Sequence, residues 1–244
     1  MEILPLSEKD RLFILRAWFV HFYTSLGLVA AFMALLAVAN HNAFETAIYL
    51  GLAGLIDGTD GIFARRWNVK KWTPFFDGRK LDDIIDYLTY VLVPIYAASE
   101  FNLVTDSWVW TLPFVLLASA FGFCNQSAKT DDGYFTGFPS YWNGVVFYMY
   151  LLQTSSPFNG FVFILLGIMV FVPIKYIYLT QTLEYRPLIV TLTLIWLLQI
   201  VYILLNFQDP DRNFIALSLW YPVFHFAMSF YLHYRGLRVR LSPK

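Results

Sequence analysis

Long apolar stretches recur along the whole chain, and they restrict its fold more than any other feature. A helix needs about 20 largely apolar residues to cross the hydrocarbon core of a bilayer. Only 14% of the 244 residues are charged, against about a quarter in soluble domains. The sequence therefore predicts an all-α integral membrane protein, a bundle of about eight transmembrane helices. The stretches that approach the required length are residues 17–39, 42–64, 80–100, 107–124, 139–154, 158–179, 187–206 and 213–234.

The positions of lysine and arginine predict the orientation of these helices. With both termini in the cytoplasm, 16 of the 17 basic residues lie on the cytoplasmic side, and only Arg212 lies outside. Short connections and the lack of a composition shift favour a single membrane domain over residues 1–244. Within residues 1–16, the segment 5–16 could form an amphipathic helix on the cytoplasmic surface. No cleavable signal peptide is evident.

Two further bulk properties exclude other classes of protein. The formal net charge is zero, which gives no support to nucleic-acid binding. The single cysteine, Cys124, excludes an intramolecular disulfide and disfavours a cysteine-ligated metal. The histidines show no motif spacing and are interpreted as packing or interfacial residues. They are His21, His41, His225 and His233.

Two pairs of aspartates at helical spacing lie within two of the apolar stretches, where charge is costly. Asp57 and Asp60 are three residues apart, and Asp82 and Asp86 are four apart. Both spacings place each pair on one face of a helix. An Asp at the centre of a membrane helix costs about 2.5–3.5 kcal/mol on insertion scales. Four such residues therefore indicate a functional site.

The two pairs are also expected at matching depth. The second helix runs inward and ends near Arg65, so Asp57 lies about 12 Å from that end at 1.5 Å per residue. The third helix begins near Lys80 and runs outward, which places Asp86 about 9 Å inside. The carboxylates of the pair of helices in residues 42–100 can therefore converge just below the cytoplasmic surface. Oxygen ligands without histidine or cysteine suit Mg²⁺ or Mn²⁺.

A simpler interpretation is that the aspartates cap helices or pair with basic residues such as Arg65, Arg79 and Lys80. This interpretation is applied to Asp77 and Asp83, which are treated as loop acids, and Asp83 is also one residue off the face of Asp82 and Asp86. The small residues near the first pair have two interpretations. Gly58, Gly61 and Ala64 can serve close helix packing, or they can admit a bulky ligand.

The order and spacing of these residues resemble the signature of the CDP-alcohol phosphotransferase family. All eight fixed positions are present within 30 residues, as Asp57-x-x-Asp60-Gly61-x-x-Ala64-Arg65 and then Gly78-x-x-x-Asp82-x-x-x-Asp86. Twelve residues separate Arg65 from Gly78, which is more than in most members. The longer gap, the segment from Ala128 to Asn143 and the eight-helix arrangement are similar to the bacterial phosphatidylcholine synthase branch.

The resemblance implies transfer of the phosphatidyl group from CDP-diacylglycerol to choline, with release of CMP. It implies two Mn²⁺ or Mg²⁺ ions, with Asp86 both as a metal ligand and as the base. The other implied metal ligands are Asp57, Asp60 and Asp82. The residues expected at the nucleotide and its phosphates are Gly61, Ala64, Arg65, Gly78 and Lys129. Lys129 can equally be only a marker of the cytoplasmic side.

Choline carries a fixed positive charge, which proteins usually recognise with aromatic rings. Among the many aromatic residues of the cytoplasmic segments, Tyr87, Tyr141 and Trp142 are the candidates for choline binding. The alternative is that they belong to the aromatic belt found at membrane surfaces.

Two rival functions remain open from the sequence. A sibling enzyme that uses serine, inositol or glycerol phosphate would share every motif residue. A cation transporter could also use buried aspartates, although its acids would be expected near the middle of the bilayer in repeated halves. The enzyme is expected in the bacterial inner membrane with its active site facing the cytoplasm. Its partners would be CDP-diacylglycerol, choline and membrane lipids, and it could form a homodimer.

Overall fold

The computed structural model describes residues 7–130, 132–179 and 181–241, and most of them are helical. The chain forms two compact units, the first ending at Thr89 and the second beginning at Tyr90. A single membrane domain over residues 1–244 stays a prediction.

Polar residues mark the starts of three helices in the first unit. Its α-helices are α1 (Glu8–Ala39), α2 (Ala43–Arg66), α3 (Val69–Trp72) and α4 (Gly78–Asp86). The side chains of Ser7, Asn42 and Asp77 precede α1, α2 and α4, and each accepts a hydrogen bond from a backbone N–H of its helix. Such caps satisfy N–H groups that have no partner within the helix. The capping role expected of Asp77 is confirmed.

The other helices of the first unit pack on α1. Ala17 and Val20 of α1 are buried together with Val69 of α3, and Ala64 of α2 packs against this cluster. Farther along α1, Gly27 lies so close to α4 that an added Cβ would come within 2.8 Å of Ile85. Because α1 contacts both α2 and α4, it fixes the two helices that carry the four aspartates.

The twelve residues of the long gap, 66–77, are ordered against α1 by aromatic contacts. The ring of Trp72 stacks on Phe13, with centroids 4.9 Å apart. The ring of Phe76 lies 4.4 Å from that of His21. His21 also shares a hydrogen bond of 2.8 Å between its Nε2 and Thr73 Oγ1. The gap is therefore a packed segment that leads the chain to the start of α4.

The second unit contains seven α-helices and two short strands among its described residues. A π-helical turn, Tyr87–Leu92, contains the division between the units, and a 3₁₀ turn covers Asp106–Trp108. The elements are α5 (Val93–Glu100), α6 (Thr111–Cys124), β1 (Tyr134–Thr136), α7 (Trp142–Leu152), α8 (Ser156–Met169), β2 (Lys175–Ile177), α9 (Arg186–Leu205), α10 (Arg212–Ser218) and α11 (Trp220–Leu241).

Two strands of three residues each interrupt an otherwise helical architecture, which is consistent with the expected all-α membrane protein. They pair antiparallel, with Tyr134 opposite Ile177. The backbone N–H of Ile177 donates to Ser229 Oγ of α11, and that of Lys175 donates to His233 Nδ1. The predicted helix over residues 158–179 is therefore wrong beyond Met169. Pro173 lies in this stretch, and proline cannot supply the N–H that a helix interior needs.

An ion pair joins β2 to the loop before β1. Lys175 Nζ donates to Asp132 and also lies 5.2 Å from the centroid of the Tyr134 ring. Partial burial alone would raise the pKa of Asp132, but hydrogen bonds from Lys175 and Thr130 and the charge of Lys175 outweigh it, so the pKa lies below its usual value. Because Asp132 is half exposed, the pair is expected to position the loop and add little stability.

Five helices among the described residues are long and apolar enough to cross a membrane, which supports an integral membrane protein. They are Glu8–Ala39, Ala43–Arg66, Asp106–Cys124, Arg186–Leu205 and Arg212–Gly236. The other three predicted spans correspond to shorter elements. With 11 and 14 residues, α7 and α8 are about 16 and 21 Å long, short of a hydrocarbon core of about 30 Å. A count of eight is not established.

The described part of the N-terminal segment is helical, as predicted. Residues 8–16 are the first turns of α1, which runs without a break to Ala39. Residues 1–6 lie outside the described range. An amphipathic position of this segment on the cytoplasmic surface stays a prediction.

Candidate metal centre

Three of the four aspartates bring carboxylate oxygens close together. One oxygen each from Asp57 of α2 and from Asp82 and Asp86 of α4 lie within 4.8 Å of one another. The three residues are partly exposed. The helical spacing predicted that each pair shares a face, and packing on α1 turns these two faces toward each other.

Asp60 lies in the same cleft, but it is more deeply buried. Its side chain is 6% exposed, and its Oδ2 accepts a hydrogen bond of 2.7 Å from Thr24 Oγ1. Thr24 belongs to α1, which the sequence analysis did not connect with the site. In the sequence, Thr24 could have been recognised as a candidate site residue, because it is a small polar residue within an apolar stretch, one turn from Gly27.

The cleft between the three helices is lined by both aspartate pairs and by residues of α1. Its other lining residues are Thr24, Gly27, Ala53, Ile56, Ile85 and Thr89. The apolar side chains of Ala53, Ile56 and Ile85 belong to this lining, beside the acids. A charge in such surroundings interacts more strongly with a nearby cation than it would in water.

The donor set fits a hard divalent cation. Ligands of Mg²⁺ lie at about 2.0–2.1 Å in a nearly octahedral arrangement, so they are about 3–4 Å from one another. The oxygens of Asp57, Asp82 and Asp86, which lie within 4.8 Å of one another, are close to this spacing. Carboxylates are the ligand type that Mg²⁺ and Mn²⁺ favour. These residues can therefore hold such an ion.

The small residues of α2 have different surroundings. Among the described residues, no atom lies within 4 Å of a Cβ built at Gly58, and a Cβ at Gly61 would meet only the guanidinium of Arg65, at 3.1 Å. Close helix packing therefore does not account for these two glycines. Ala64 instead packs against the apolar cluster around Val69, and the Arg65 side chain is exposed.

Gly78 at the start of α4 lies against His21 of α1. A Cβ at Gly78 would come within 2.8 Å of His21 Cε1 and 3.1 Å of Nδ1. The imidazole is buried and bonded to Thr73 Oγ1, so it cannot easily move aside. His21 is a packing residue, as expected, and it determines how closely the start of α4 approaches α1.

We expect Gly78→Ala to lower the free energy of unfolding by about 1–3 kcal/mol, because it overpacks this contact. The measurement is the midpoint of thermal unfolding of the purified protein in detergent. Gly51→Ala in α2 is the matched control, because no described atom lies within 4 Å of its added Cβ. A midpoint for Gly78→Ala equal to that of Gly51→Ala would contradict the contact with His21.

The candidates for choline binding have different environments. Tyr87 follows Asp86 directly and is half-buried in the first unit. In the second unit, Tyr141 is half-buried, with its ring centroid 6.0 Å from that of Tyr90 and 5.9 Å from that of His225. Both retain some exposed surface.

Trp142 is enclosed in the core of the second unit. It is 0% exposed, and its indole Nε1 donates to Ser119 Oγ at 2.7 Å. Its ring lies between Phe138 and Phe163, at 5.1 and 5.7 Å between centroids. A cation cannot reach a ring enclosed on these sides, so the expectation that Trp142 binds choline is corrected.

Lys129, the remaining phosphate candidate, also lies in the second unit. It is half-buried and its backbone forms an isolated antiparallel bridge with Phe135. Its role stays a prediction.

The helices that carry the aspartates lie within a region that matches a known protein family. Residues 20–198 match the family described as CDP-alcohol phosphatidyltransferase, which is well over half of the 244 residues. This chain belongs to that family. The matched residues include all of α2 and α4, and also Thr24 of α1.

Several relatives of this family member are similar along almost their whole length. The phosphatidylcholine synthase of Rhizobium meliloti (strain 1021) is 34% identical over 232 residues, which cover 94% of this chain and 93% of that protein. The phosphatidylcholine synthase of Pseudomonas aeruginosa is 36% identical over 207 residues, covering 84% and 86%. That of Borreliella burgdorferi is 31% identical over 228 residues, covering 91% and 96%.

Proposed function

We propose that this chain is a metal-dependent transferase that moves the phosphatidyl group from CDP-diacylglycerol to choline and releases CMP. The observation that carries the proposal is the cleft that Asp57, Asp60, Asp82 and Asp86 line together, because these residues are the four acids of the family signature. Similarity to several phosphatidylcholine synthases over most of both chains supports choline as the acceptor.

In this proposal the four aspartates hold two Mn²⁺ or Mg²⁺ ions. When bound, such ions neutralise the phosphate charge of the nucleotide lipid and stabilise the leaving CMP. The carboxylates would hold the two ions beside the apolar wall of the cleft. Asp60 is held on one side by Thr24, and Asp57 faces Asp82 and Asp86 across the space between α2 and α4.

Asp86 is proposed to act also as the general base. It accepts the proton of the choline hydroxyl while that oxygen forms a bond to the phosphorus of the phosphatidyl group. The bond from this phosphorus to the bridging oxygen breaks, and CMP leaves with the electron pair. Direct displacement needs no covalent intermediate with the enzyme.

The signature also supplies residues for the nucleotide. The open space beside Gly58 and Gly61 supports the proposal that the cytidine nucleotide approaches this face of α2. The exposed Arg65 guanidinium borders the same space and is proposed to contact a phosphate. Ala64 and Gly78 are proposed to lie beside the nucleotide, and Lys129 to contact its phosphates.

For the acceptor, Tyr87 and Tyr141 are retained as proposed contacts of the choline cation. Their rings would attract it by cation–π interaction, worth about 0.5–2 kcal/mol per contact. Tyr87 is the stronger candidate because it directly follows the proposed base in the sequence.

The finer topology belongs to the same proposal. The chain is proposed to form one membrane domain of eight embedded segments with both termini in the cytoplasm, in the bacterial inner membrane. The strong bias of basic residues toward one side supports the orientation. The active site would then face the cytoplasm, with which the water-soluble choline and CMP would exchange. A homodimer is part of the proposal.

The acceptor is tested by incubating the purified protein with CDP-diacylglycerol, Mn²⁺ and labelled alcohols, one at a time. We expect phosphatidylcholine from choline, and little product from serine, inositol or glycerol phosphate. None of these three carries the quaternary ammonium group that aromatic rings attract, and their carboxylate, hydroxyl or phosphate groups would need polar or basic partners. The measured quantities are the amounts of labelled lipid and of CMP, which are expected to be equal. Product from serine but not from choline would show that serine, and not choline, is the acceptor. A lack of product from every alcohol would contradict the transferase proposal.

A further inference from the structure

Thr24 of α1 contacts the metal site, although it lies outside the signature. Its Oγ1 donates a hydrogen bond of 2.7 Å to Asp60 Oδ2. Thr24 is 7% exposed and Asp60 is 6% exposed, so the bond is shielded from solvent. The two residues are 36 positions apart, and only the packing of α1 on α2 brings them together.

The position of Thr24 is fixed by contacts on both sides of it. At the preceding residue, the hydroxyl of Tyr23 lies 2.8 Å from Thr59 Oγ1. Thr59 Oγ1 also lies 2.8 Å from the backbone oxygen of Leu55 in its own helix. One turn later, Gly27 permits close approach to Ile85 of α4. The rotation of α1 is therefore set against both aspartate helices.

A buried carboxylate requires hydrogen-bond donors, because burial of an unpaired charge is costly. The Thr24 hydroxyl supplies a donor to Oδ2 and so restricts rotation of the Asp60 carboxylate about its Cβ–Cγ bond. A hydrogen bond to a charged acceptor is stronger than one between neutral groups. The restricted carboxylate presents its oxygens to the cleft in a defined orientation.

We propose that Thr24 is a positioning residue of the metal site, which orients Asp60 for a divalent cation. The inference rests on the metal dependence of the proposed function, and it extends the site from two helices to three. Side chains that orient metal ligands typically change metal affinity or activity about 10- to 100-fold when they are removed.

The test is direct binding of Mn²⁺ to the purified full-length protein without substrates, measured as loss of the electron paramagnetic resonance signal of free Mn²⁺. We expect Thr24→Ala to raise the dissociation constant about 10- to 100-fold. Thr24→Ser keeps the hydroxyl and is expected to bind Mn²⁺ like the wild type. Tyr23→Phe is the matched control, because it removes the neighbouring bond between α1 and α2 and leaves the Thr24–Asp60 bond intact.

The possible results separate the inference from its alternatives. Equal affinities for wild type and Thr24→Ala would overturn it. Equal losses in Thr24→Ala and Tyr23→Phe would also overturn it, because the effect would then be general loosening of α1 from α2. A loss in Thr24→Ser as large as in Thr24→Ala would assign the effect to packing. If the wild type binds no Mn²⁺, both this inference and the proposed metal dependence fail, whereas a different acceptor alcohol leaves the inference intact.

Discussion

Asp86→Asn is expected to lower the rate of phosphatidyl transfer to choline by about 10²–10⁴-fold, the usual contribution of a general base. An amide cannot accept the hydroxyl proton, although it retains the shape of the carboxyl group. The measurement is formation of labelled phosphatidylcholine at saturating CDP-diacylglycerol and choline. Because Asp86 also lies in the carboxylate cluster, the assay is repeated over a range of Mn²⁺ concentrations.

Asp83→Asn is the matched control, because it makes the same chemical change on α4 but outside the cleft lining. We expect it to keep most of its activity. Binding of CDP-diacylglycerol to Asp86→Asn should remain measurable. Full turnover by this variant would remove the proposed base, and complete recovery at high Mn²⁺ would restrict Asp86 to metal binding.

Asp57→Asn is expected to weaken Mn²⁺ binding by at least about 100-fold, since loss of a direct ligand should exceed the effect of losing a group that orients one. Asp57 is the member of the three-oxygen cluster that comes from α2, so its loss leaves only the two oxygens of α4 in that cluster. Transfer activity should fall in parallel, and excess Mn²⁺ should restore part of it. The measurement combines Mn²⁺ titration with the transfer assay on the same preparation.

Asp77→Asn provides the control for this variant. It also removes one negative charge from the first unit, but asparagine can cap α4 as aspartate does. Its Mn²⁺ affinity should match that of the wild type. A similar loss in both variants would mean that general electrostatic attraction, and not ligation at the cleft, accounts for the result.

The aspartate site was largely predictable from the sequence. Charged residues are rare in apolar stretches, and the spacings from Asp57 to Asp60 and from Asp82 to Asp86 place each pair on one helix face. The structure adds that Asp60 is buried against α1, while Asp57 meets the α4 pair. The spacing of residues along a helix shows which of them share a face, but it does not show which other helix packs on that face.

The aromatic residues were much harder to interpret from the sequence. Tyr141 and Trp142 are adjacent and equally suited to cation binding by residue type. The structure leaves part of Tyr141 exposed and encloses Trp142 with Phe163 and Ser119. Burial depends on the packing of several helices, and aromatic rings are common both in cores and at membrane surfaces.

The membrane class, the four acids and the family signature could all be identified in the sequence, because hydropathy and helical periodicity are local properties of the chain. The surroundings of those acids depend on the tertiary structure. It placed Thr24 on Asp60, fitted Gly78 against His21, and ended the predicted helix of residues 158–179 in a strand that pairs with β1. Each of these contacts joins residues that are distant in sequence, so it exists only once the helices have packed.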